Sequence, residues 1–508
     1  MSTLHPTTAG STVATCAQVA GGRVVGDGSA PVHGVTLDSR AVRQGDLYAA
    51  LPGANTHGGV FAAAASSAGA AAVLTDALGL EMVEAAGVEL PVIVVASPRA
   101  VLGAVSAEVY GTRDPALGLI GITGTNGKTT TAYLIASALE ALGRSTGLIG
   151  TVETRIGQER VKSVRTTPES CDLHRLLAVM RERSIDDCVM EVSSHALALH
   201  RVDGVVYDVA LFTNLSQDHL DFHADMEDYF AAKASLFTPE RARRGIIWLD
   251  SPASSRLAEQ ATIACITVGE GREAVPDYRV DVVGSGPEFV LAGPQGLTLD
   301  LRSALPGTFN IENTAMAAVT LLTMGHEAAD VQRAILTDPH VPGRMERVTV
   351  DHPDAPLAVV DYAHTPDAVR LAVRSLRTPD RGPLVVVLGA GGGRDISKRP
   401  TMGAAAAEAD VVIVTDDNPR GESAGEIRSA VLAGARAAGT RASVEEVAGR
   451  RSAIDRAVEI ACAAGPSATI AVVGKGHETG QEIDGVTHPF DDRVELRAAL
   501  ENRLGGTR

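Results

Sequence analysis

The sequence predicts an α/β protein built from three domains, and three features carry that reading. The chain has 508 residues, whereas single domains usually hold about 100–200. Short Val- and Ile-rich runs recur at helix-length intervals, the pattern of strands alternating with helices around parallel sheets. Finally, LIGITG runs directly into TNGKTTTAYLIASALEAL, a strand, glycine loop and helix that open an α/β nucleotide-binding unit.

The first domain is expected over 1–112. It carries Val-rich runs at Val24–Val25 and PVIVVAS (91–97) and an Ala-rich helix candidate over 60–74. The first ten residues read as a mobile lead. GTRDPALG (111–118) joins turn formers to charge just before a new apolar run, which marks a boundary. The second domain is expected over 113–342. Its strand candidates CVMEVSS (188–194) and VALFTNLS (209–216) end in polar residues, which would gather at the carboxyl edge of a parallel sheet. Residues 266–303 alternate like short strands with glycine turns and read as an antiparallel insertion. NIENTAMAAVTLLTMG (310–325) reads as a helix capped by Asn310, and DPHVPGRMERV (338–348) as a linker. The third domain, 343–508, repeats apolar strands at LAVVDYA, LVVVLGA, VVIVTDD and TIAVVGKG, which predicts a second parallel sheet.

Composition narrows the function. Hydrophobic residues make up 45% of the chain and charged residues 21%, enough apolar material for large cores and against general disorder. Aromatic residues are only 3%, so the cores must be aliphatic and Ala-rich. A net charge of −17 disfavours an extended nucleic-acid surface while leaving room for a local anion site. The five cysteines, Cys16, Cys171, Cys188, Cys265 and Cys462, form no CxxC pair, against a disulfide framework or a cysteine-ligated metal. Residues 1–20 lack a secretory pattern, and no apolar stretch approaches the roughly 20 residues of a membrane span. A cytoplasmic protein with no transmembrane segment is expected, and no obligatory protein partner is inferred.

The chemistry concentrates in GITGTNGKTTT. Gly124 and Gly127 let the backbone, with Thr125 and Asn126, wrap a phosphate; Lys128 supplies positive charge; Thr129, followed by Thr130, can meet magnesium at the helix start. A strict GxxxxGK[ST] motif would need glycine at Ile122, so the spacing departs from the standard loop. Glu191 ends CVMEVSS, and LSQDHLDFH adds Asp218, His219, Asp221 and His223. That group suits either a metal or a capped helix start with surface charges. Hard carboxylates beside a P-loop threonine fit magnesium on ATP phosphates better than zinc. Lys233 on composition alone is an ordinary exposed lysine. GAGGGRDISKRP places Arg394 where a GxGxxG fingerprint needs its third glycine, which disfavours NAD. Asp417, Asn418, Arg420, Lys475, His477 and Glu478 cluster at two strand ends and suit a ligand bearing both ammonium and carboxylate groups, although Arg420 could equally be a helix-capping surface charge.

These motifs together, in the order DSRAVRQGDLYAALPG, TGTNGKTTT, TTPES, EVSSHAL, TNLSQDHLD, NIENTAMA, PGRME, DYAHTP, DNPR and GKGHE, resemble the Mur ligases, in the branch that adds the third amino acid to the UDP-N-acetylmuramoyl dipeptide of peptidoglycan. The resemblance spans nearly the whole chain. It implies a UDP-sugar-binding first domain, a central P-loop ATPase domain and a carboxyl-terminal Rossmann-like domain. By that resemblance Ser39, Arg40, Asn55, Thr56 and His57 lie on the UDP side, and Thr166, Thr167, Ser193 and Arg201 meet the muramoyl peptide. Lys128, Thr129, Asn313, Arg344 and Asp361 belong to the ATP site; Thr129, Glu191 and His219 to magnesium; and Lys233 carries a CO2-derived carbamate that serves a second magnesium. Arg394, Asp417, Asn418, Arg420, Gly474 and Glu478 match the amino-acid pocket, with Arg420 in DNPR reading the extra carboxylate of meso-diaminopimelate. The implied substrates are ATP, UDP-N-acetylmuramoyl-L-alanyl-D-glutamate and meso-diaminopimelate. Alternatives are LL-diaminopimelate or L-lysine as the amino acid, a folylpolyglutamate synthetase-like ligase, and a P-loop transport or regulatory ATPase that makes no covalent product.

Overall fold

The computed structural model describes residues 4–7, 10–272, 274–284, 286–377, 381–393 and 395–505. Near the amino terminus a five-stranded sheet runs in the order Arg23–Val25, Val92–Val94, Ala72–Thr75, Asp46–Ala49, Gly34–Thr36. All neighbours are parallel except the first pair. The Ala-rich stretch is therefore not one helix. It forms Ala62–Ser67 and then the fully buried strand Ala72–Thr75, because pairing on both sides overrides the helix preference of alanine. Helix Pro98–Tyr110 closes on Gly111 in the left-handed conformation, φ 63°. The next strand begins at Gly118.

That strand, Gly118–Thr123, sits inside an eleven-stranded sheet between Asp187–Glu191 and Tyr207–Phe212, parallel to both. Both faces are covered, which is why its side chains read as a continuous apolar run. Ile120 and Ile122 pack with Leu134 and Ile135 of helix Lys128–Ala141 and with Ile311 and Met316 of helix Thr308–Thr323. The opposite face buries Met190, Tyr207 and Phe212 against Leu176 and Leu177 of helix Ser170–Glu182. Leu4 joins this second cluster, and Arg175 donates to its carbonyl, so the described part of the first ten residues is anchored where a mobile lead was expected. Residues 266–303 hold the antiparallel strands expected there. Tyr278–Val282, Glu288–Ala292 and Thr298–Arg302 extend the same sheet at one edge. Helix Thr308–Thr323 begins after Gly307, φ 99°. Asn310 lies inside its first turn and donates to Pro306 O at 2.6 Å, so it is not the cap. The turn needs a backbone conformation that glycine supplies.

The last sheet has the order Glu346–Arg347, Leu357–Asp361, Thr469–Val473, Leu384–Leu388, Val411–Val414, Ser443–Glu446, parallel beyond its first pair. Three helices cover one face and two the other. In a doubly wound sheet the strand carboxyl ends point at the ligand crevice. Here those ends carry Asp361, Gly389, Asp417 and Gly474, and the central sheet offers Gly124, Glu191 and Asn214 in the same way.

Candidate active site

The loop 124–127 joins a buried strand to a 14-residue helix. Ile122, at the place of the missing motif glycine, is a core residue, so the strand runs on and the loop contains only four residues. Gly124 has φ 145°, and a Cβ there would stand 1.9 Å from Thr213 Oγ1; only glycine fits. Thr213 Oγ1 donates to Asn126 O at 2.6 Å, and Asn126 N donates to Asn214 Oδ1 at 2.9 Å. These bonds pin the loop to the neighbouring strand. The helix start has no side-chain cap, leaving first-turn N–H groups available for an anion.

Lys128 Nζ donates to Gly124 O at 2.8 Å and to Thr125 O at 2.9 Å, and Lys233 Nζ donates to the same Gly124 O at 2.8 Å. Two amines thus meet at one carbonyl. Lys233 is 1% exposed, not the surface lysine that composition suggests. Burial first, and then the charge of Lys128, hold its amine well below the usual lysine range, with Asp218 opposing. Burial likewise lowers Lys128, with Glu191 opposing.

Thr129 Oγ1 donates to Glu191 Oε1 at 2.9 Å, and Arg344 Nη2 donates to Thr129 Oγ1 at 3.1 Å. Glu191, 1% exposed, also accepts from Thr151 N at 2.9 Å and from Thr151 Oγ1 at 3.0 Å. His219 adopts φ 56°. Burial first pushes its imidazole down to about 4 against the pull of Asp218, so the ring is neutral and able to ligate at neutral pH. A hydroxyl, a carboxylate and a neutral imidazole line the cavity at the phosphate loop, groups that could hold magnesium, which takes few protein ligands and completes itself with phosphate oxygens and water. Asp218 lies beside His219 in the same cavity wall. His223 is instead tied to Asp228 at 3.1 Å.

The cavity above this loop, about 230 Å³, is lined by Lys128, Thr129, Glu191, His219, Asn313 and Arg344 among others. Asn313 accepts from Thr131 Oγ1 at 3.1 Å. Arg344 lies over the Tyr362 ring at 4.5 Å. Asp361 lines the wall too, but both its oxygens accept backbone N–H groups, from Ala363 at 2.8 Å and Met345 at 2.7 Å. It therefore fixes the 343–346 turn that presents Arg344. Thr166 bonds Thr151 at 3.0 Å, while Thr167 donates to Glu191 O at 2.8 Å and accepts from Ser193 N at 3.0 Å. Arg201 pairs with buried Glu169 at 3.0 Å.

A second cavity, about 490 Å³, opens between the central and carboxyl-terminal sheets and contains Asn418, Arg420 and Glu478. Lys475 Nζ, fully buried, donates to Asn418 Oδ1 at 3.0 Å and Glu478 Oε2 at 2.9 Å; Asn418 Nδ2 donates to Glu478 Oε2 at 2.8 Å. Gly474, φ 116°, leaves room for Asp417, whose Oδ2 would lie 2.7 Å from a Cβ there. Arg420 does not cap a helix. With φ 54° it bridges to Ile483 and meets Glu482 at 3.4 Å on the cavity wall. Arg394 lies outside the described residues. The residues expected on the UDP side sit apart, on loops after neighbouring parallel strands. There Arg40 pairs with Asp38 at 2.8 Å, Asn55 and Thr56 are exposed, and His57 accepts from Gly59 N at 2.9 Å and meets Asp76 at 3.1 Å. Ser39 is half-buried beside them.

Family models for the Mur ligase family, catalytic domain, for the Mur ligase middle domain and for the Mur ligase, glutamate ligase domain match residues 31–110, 122–321 and 343–476. The chain belongs to the Mur ligase family. It is accordingly an ATP-dependent ligase that forms amide bonds, with the three-domain Mur ligase fold. It is 50% identical to UDP-N-acetylmuramoyl-L-alanyl-D-glutamate--2,6-diaminopimelate ligase of Streptomyces coelicolor, covering 94% of each chain. The protein of that name from Streptomyces avermitilis is 49% identical, covering 96% of this chain and 97% of its own. A solved structure of a ligase with the same name is 30% identical, with TM-score 0.66 over 97% of this chain and 99% of the other.

In this Mur ligase several cavity and supporting residues were not among the candidates read from the sequence, although Glu169 and Glu312 lie inside the TTPES and NIENTAMA motifs. Glu169 is held by Arg99 at 3.0 Å, from the helix ending the first domain, as well as by Arg201 and Arg165. Thr151 touches both cavities. Glu312 lines the first cavity, where burial, with the charges of Asp250 and Glu270, pushes its carboxyl up to about 8. Among the described residues no helix is long and apolar enough to cross a membrane.

Proposed function

We propose that the protein joins meso-diaminopimelate to the D-glutamyl carboxylate of UDP-N-acetylmuramoyl-L-alanyl-D-glutamate, with ATP as cosubstrate, in cytoplasmic peptidoglycan precursor synthesis. The observation that carries this is the pair of cavities meeting at Thr151: a phosphate loop on one side and an Arg420–Asn418–Glu478 pocket on the other. The high identity to two diaminopimelate ligases supports the same substrates. The helix end at Gly111 and the turn around Arg344 support domain borders near residues 112 and 342.

ATP sits on loop 124–127, with Lys128 and the helix start facing its phosphates and Asn313 and Arg344 flanking it. The acceptor lies with its UDP near Ser39, Arg40, Asn55, Thr56 and His57, and its peptide near Thr166, Thr167, Ser193 and Arg201. Its D-glutamyl carboxylate attacks the γ-phosphorus; an O–P bond forms, the bond to the β-phosphate oxygen breaks, and ADP leaves. Lys128 and Arg344 offset the charge that develops there. The amine of the amino acid then attacks the acyl carbon, loses a proton, and expels phosphate to leave the amide. Thr129, Glu191 and His219 would hold magnesium, which when bound neutralises phosphate oxygens. Burial, which holds the Lys233 amine well below the usual lysine range, favours the form that adds CO2, and the resulting carbamate would place an anion there suited to a second magnesium.

Purified protein with ATP, magnesium, the UDP-dipeptide and meso-diaminopimelate should give the UDP-tripeptide by mass spectrometry, faster than with LL-diaminopimelate or L-lysine. ATP turnover with no new nucleotide-sugar product would refute the ligation. Arg420→Ala should raise the KM for diaminopimelate about 10- to 100-fold, the scale of a lost charge-assisted contact, and leave the KM for ATP unchanged. Equal losses for both substrates would make Arg420 structural.

With its carboxyl pushed up to about 8, Glu312 should hold its proton at neutral pH. Above about pH 8 it gains a negative charge on the wall of the ATP cavity, and the KM for ATP should rise several-fold. Glu312→Gln should flatten that rise; an unchanged profile would remove Glu312 from nucleotide binding.

A further inference from the structure

Lys475, in the GKGHE run, is 0% exposed and lies behind the wall of the second cavity, out of reach of a substrate. An ammonium has three N–H donors and no acceptor, and each of the three is matched. Lys475 Nζ donates to Asn418 Oδ1 at 3.0 Å, Glu478 Oε2 at 2.9 Å and Gly480 O at 2.7 Å. Those partners come from three segments: the DNPR run after strand Val411–Val414, the run after strand Thr469–Val473, and the hairpin strand Gly480–Ile483. The hairpin is bonded back to the DNPR run, through Glu482 N to Asn418 Oδ1 at 3.0 Å and Arg420 N to Glu482 O at 3.0 Å. Asn418, Arg420, Glu478, Gly480 and Glu482 all line the cavity, so one buried cation ties together the segments that wall it.

These bonds also decide which way the polar groups face. Lys475 Nζ and Glu482 N are donors, and both meet Asn418 Oδ1, whose two lone pairs are then used. The amide is held with Nδ2 toward Glu478, and Nδ2 donates to Glu478 Oε2 at 2.8 Å. Oε2 thereby holds two donors, Lys475 and Asn418. The second Nδ2 hydrogen and Glu478 Oε1 have no partner among the described residues, and the Glu478 side chain keeps 30% of its surface exposed. A donor beside an anionic acceptor suits a ligand that carries both carboxylate and ammonium groups. A reversed amide would set its oxygen against the Glu478 carboxylate and its NH2 against the Lys475 ammonium, leaving buried groups unpaired. We infer that Lys475 is a positioning residue for the amino-acid substrate, orienting Asn418 as a donor and Glu478 as an acceptor toward it. The inference rests on the proposed placement of the amino acid in this cavity.

The test uses the full-length enzyme with Lys475→Met, Glu478→Gln and the two combined, measuring KM for meso-diaminopimelate and ATP, with denaturant unfolding alongside. Lys475→Met keeps an apolar stem and removes all three donors. It should raise the KM for diaminopimelate about 10- to 100-fold, the scale of lost charge-assisted hydrogen bonds, and leave the KM for ATP unchanged. Glu478→Gln should raise the same KM by direct loss of a contact. Residues of one hydrogen-bond network do not act additively, so adding Lys475→Met to Glu478→Gln should raise that KM by less than about threefold more. The double variant strands no buried charge, so this comparison stands even where Lys475→Met alone does not fold. A wild-type KM for diaminopimelate in folded Lys475→Met overturns the inference. So does a double variant about tenfold or more weaker than Glu478→Gln, because Lys475 would then act apart from Glu478. An equal rise for ATP and diaminopimelate would make Lys475 a support of the fold alone. If Glu478→Gln and Arg420→Ala both keep the wild-type KM for diaminopimelate, the cavity assignment itself fails, and the inference with it.

Discussion

Lys233→Ala should lower ligation by about 10²- to 10³-fold, the scale for removing one preorganised charged group from a reacting site, and formate or acetate should return part of the rate. Lys233 is buried, shares the Gly124 carbonyl with Lys128, and faces Asp218 as its opposing charge. Keeping two ammonium groups at one carbonyl oxygen in a buried site is unfavourable. The neutral form of Lys233 relieves that repulsion. A neutral amine is also the form that adds CO2, and the resulting anion would be stabilised by Lys128 next to it. A small carboxylate diffusing into the alanine variant would replace that anion in place and charge. The measurement is the initial rate with and without added formate, alongside a thermal melt and ATP binding to establish that the variant is folded. Wild-type activity in Lys233→Ala would remove the carbamate role. Loss in a folded, ATP-binding variant that no carboxylate restores would make Lys233 a support for loop 124–127.

The parts of this protein that the sequence makes legible are those whose chemistry is local. The run from Gly118 through the glycine loop to Ala141 is one continuous stretch in which strand, turn and helix preferences agree, so its position and anion-binding character could be read directly. The apolar strands of the third domain were legible for the same reason. Local rules failed where the deciding partner was distant or conformational. Ala72–Thr75 is a strand because Asp46–Ala49 and Val92–Val94 flank it. Asn310 lost the cap because Gly307 could adopt a conformation closed to it. The candidate residues themselves were found mainly through motifs in a fixed order, and the structure adds the bonds that hold them. Glu478 is placed by Lys475 and Asn418, Arg344 by Asp361 through the backbone of Met345, and Glu169 by an arginine 70 residues earlier. No spacing rule predicts contacts of that range.

The buried pair Arg450–Asp492 lies furthest beyond such rules, and removing one partner should produce the largest loss of stability. Both side chains are fully buried, and Arg450 donates to Asp492 through Nε and Nη2, each at 2.7 Å. Burial alone would lower the guanidinium, but Asp492 first, and then Asp417 and Glu478, hold it above its ordinary value. Asp492→Ala should therefore destabilise the protein by about 3–5 kcal/mol, the cost of leaving a buried charge without its partner, read as a shift in denaturant unfolding. The pair also has a second task. Arg450 donates to Asp416 O at 3.2 Å and to Val473 O at 2.9 Å, the strand ends that present Asp417 and Gly474 to the proposed amino-acid pocket. Replacing both partners by apolar residues, Arg450→Met with Asp492→Leu, removes the stranded charge and should return most of the stability, since such swaps are often neutral or stabilising by about 1–4 kcal/mol. It cannot return the bonds to the strand ends. The double variant should therefore be stable yet bind the amino acid about tenfold more weakly, a difference of ~1.4 kcal/mol, with the KM for ATP unchanged. Wild-type KM values in a stable double variant would show that the pair serves folding alone.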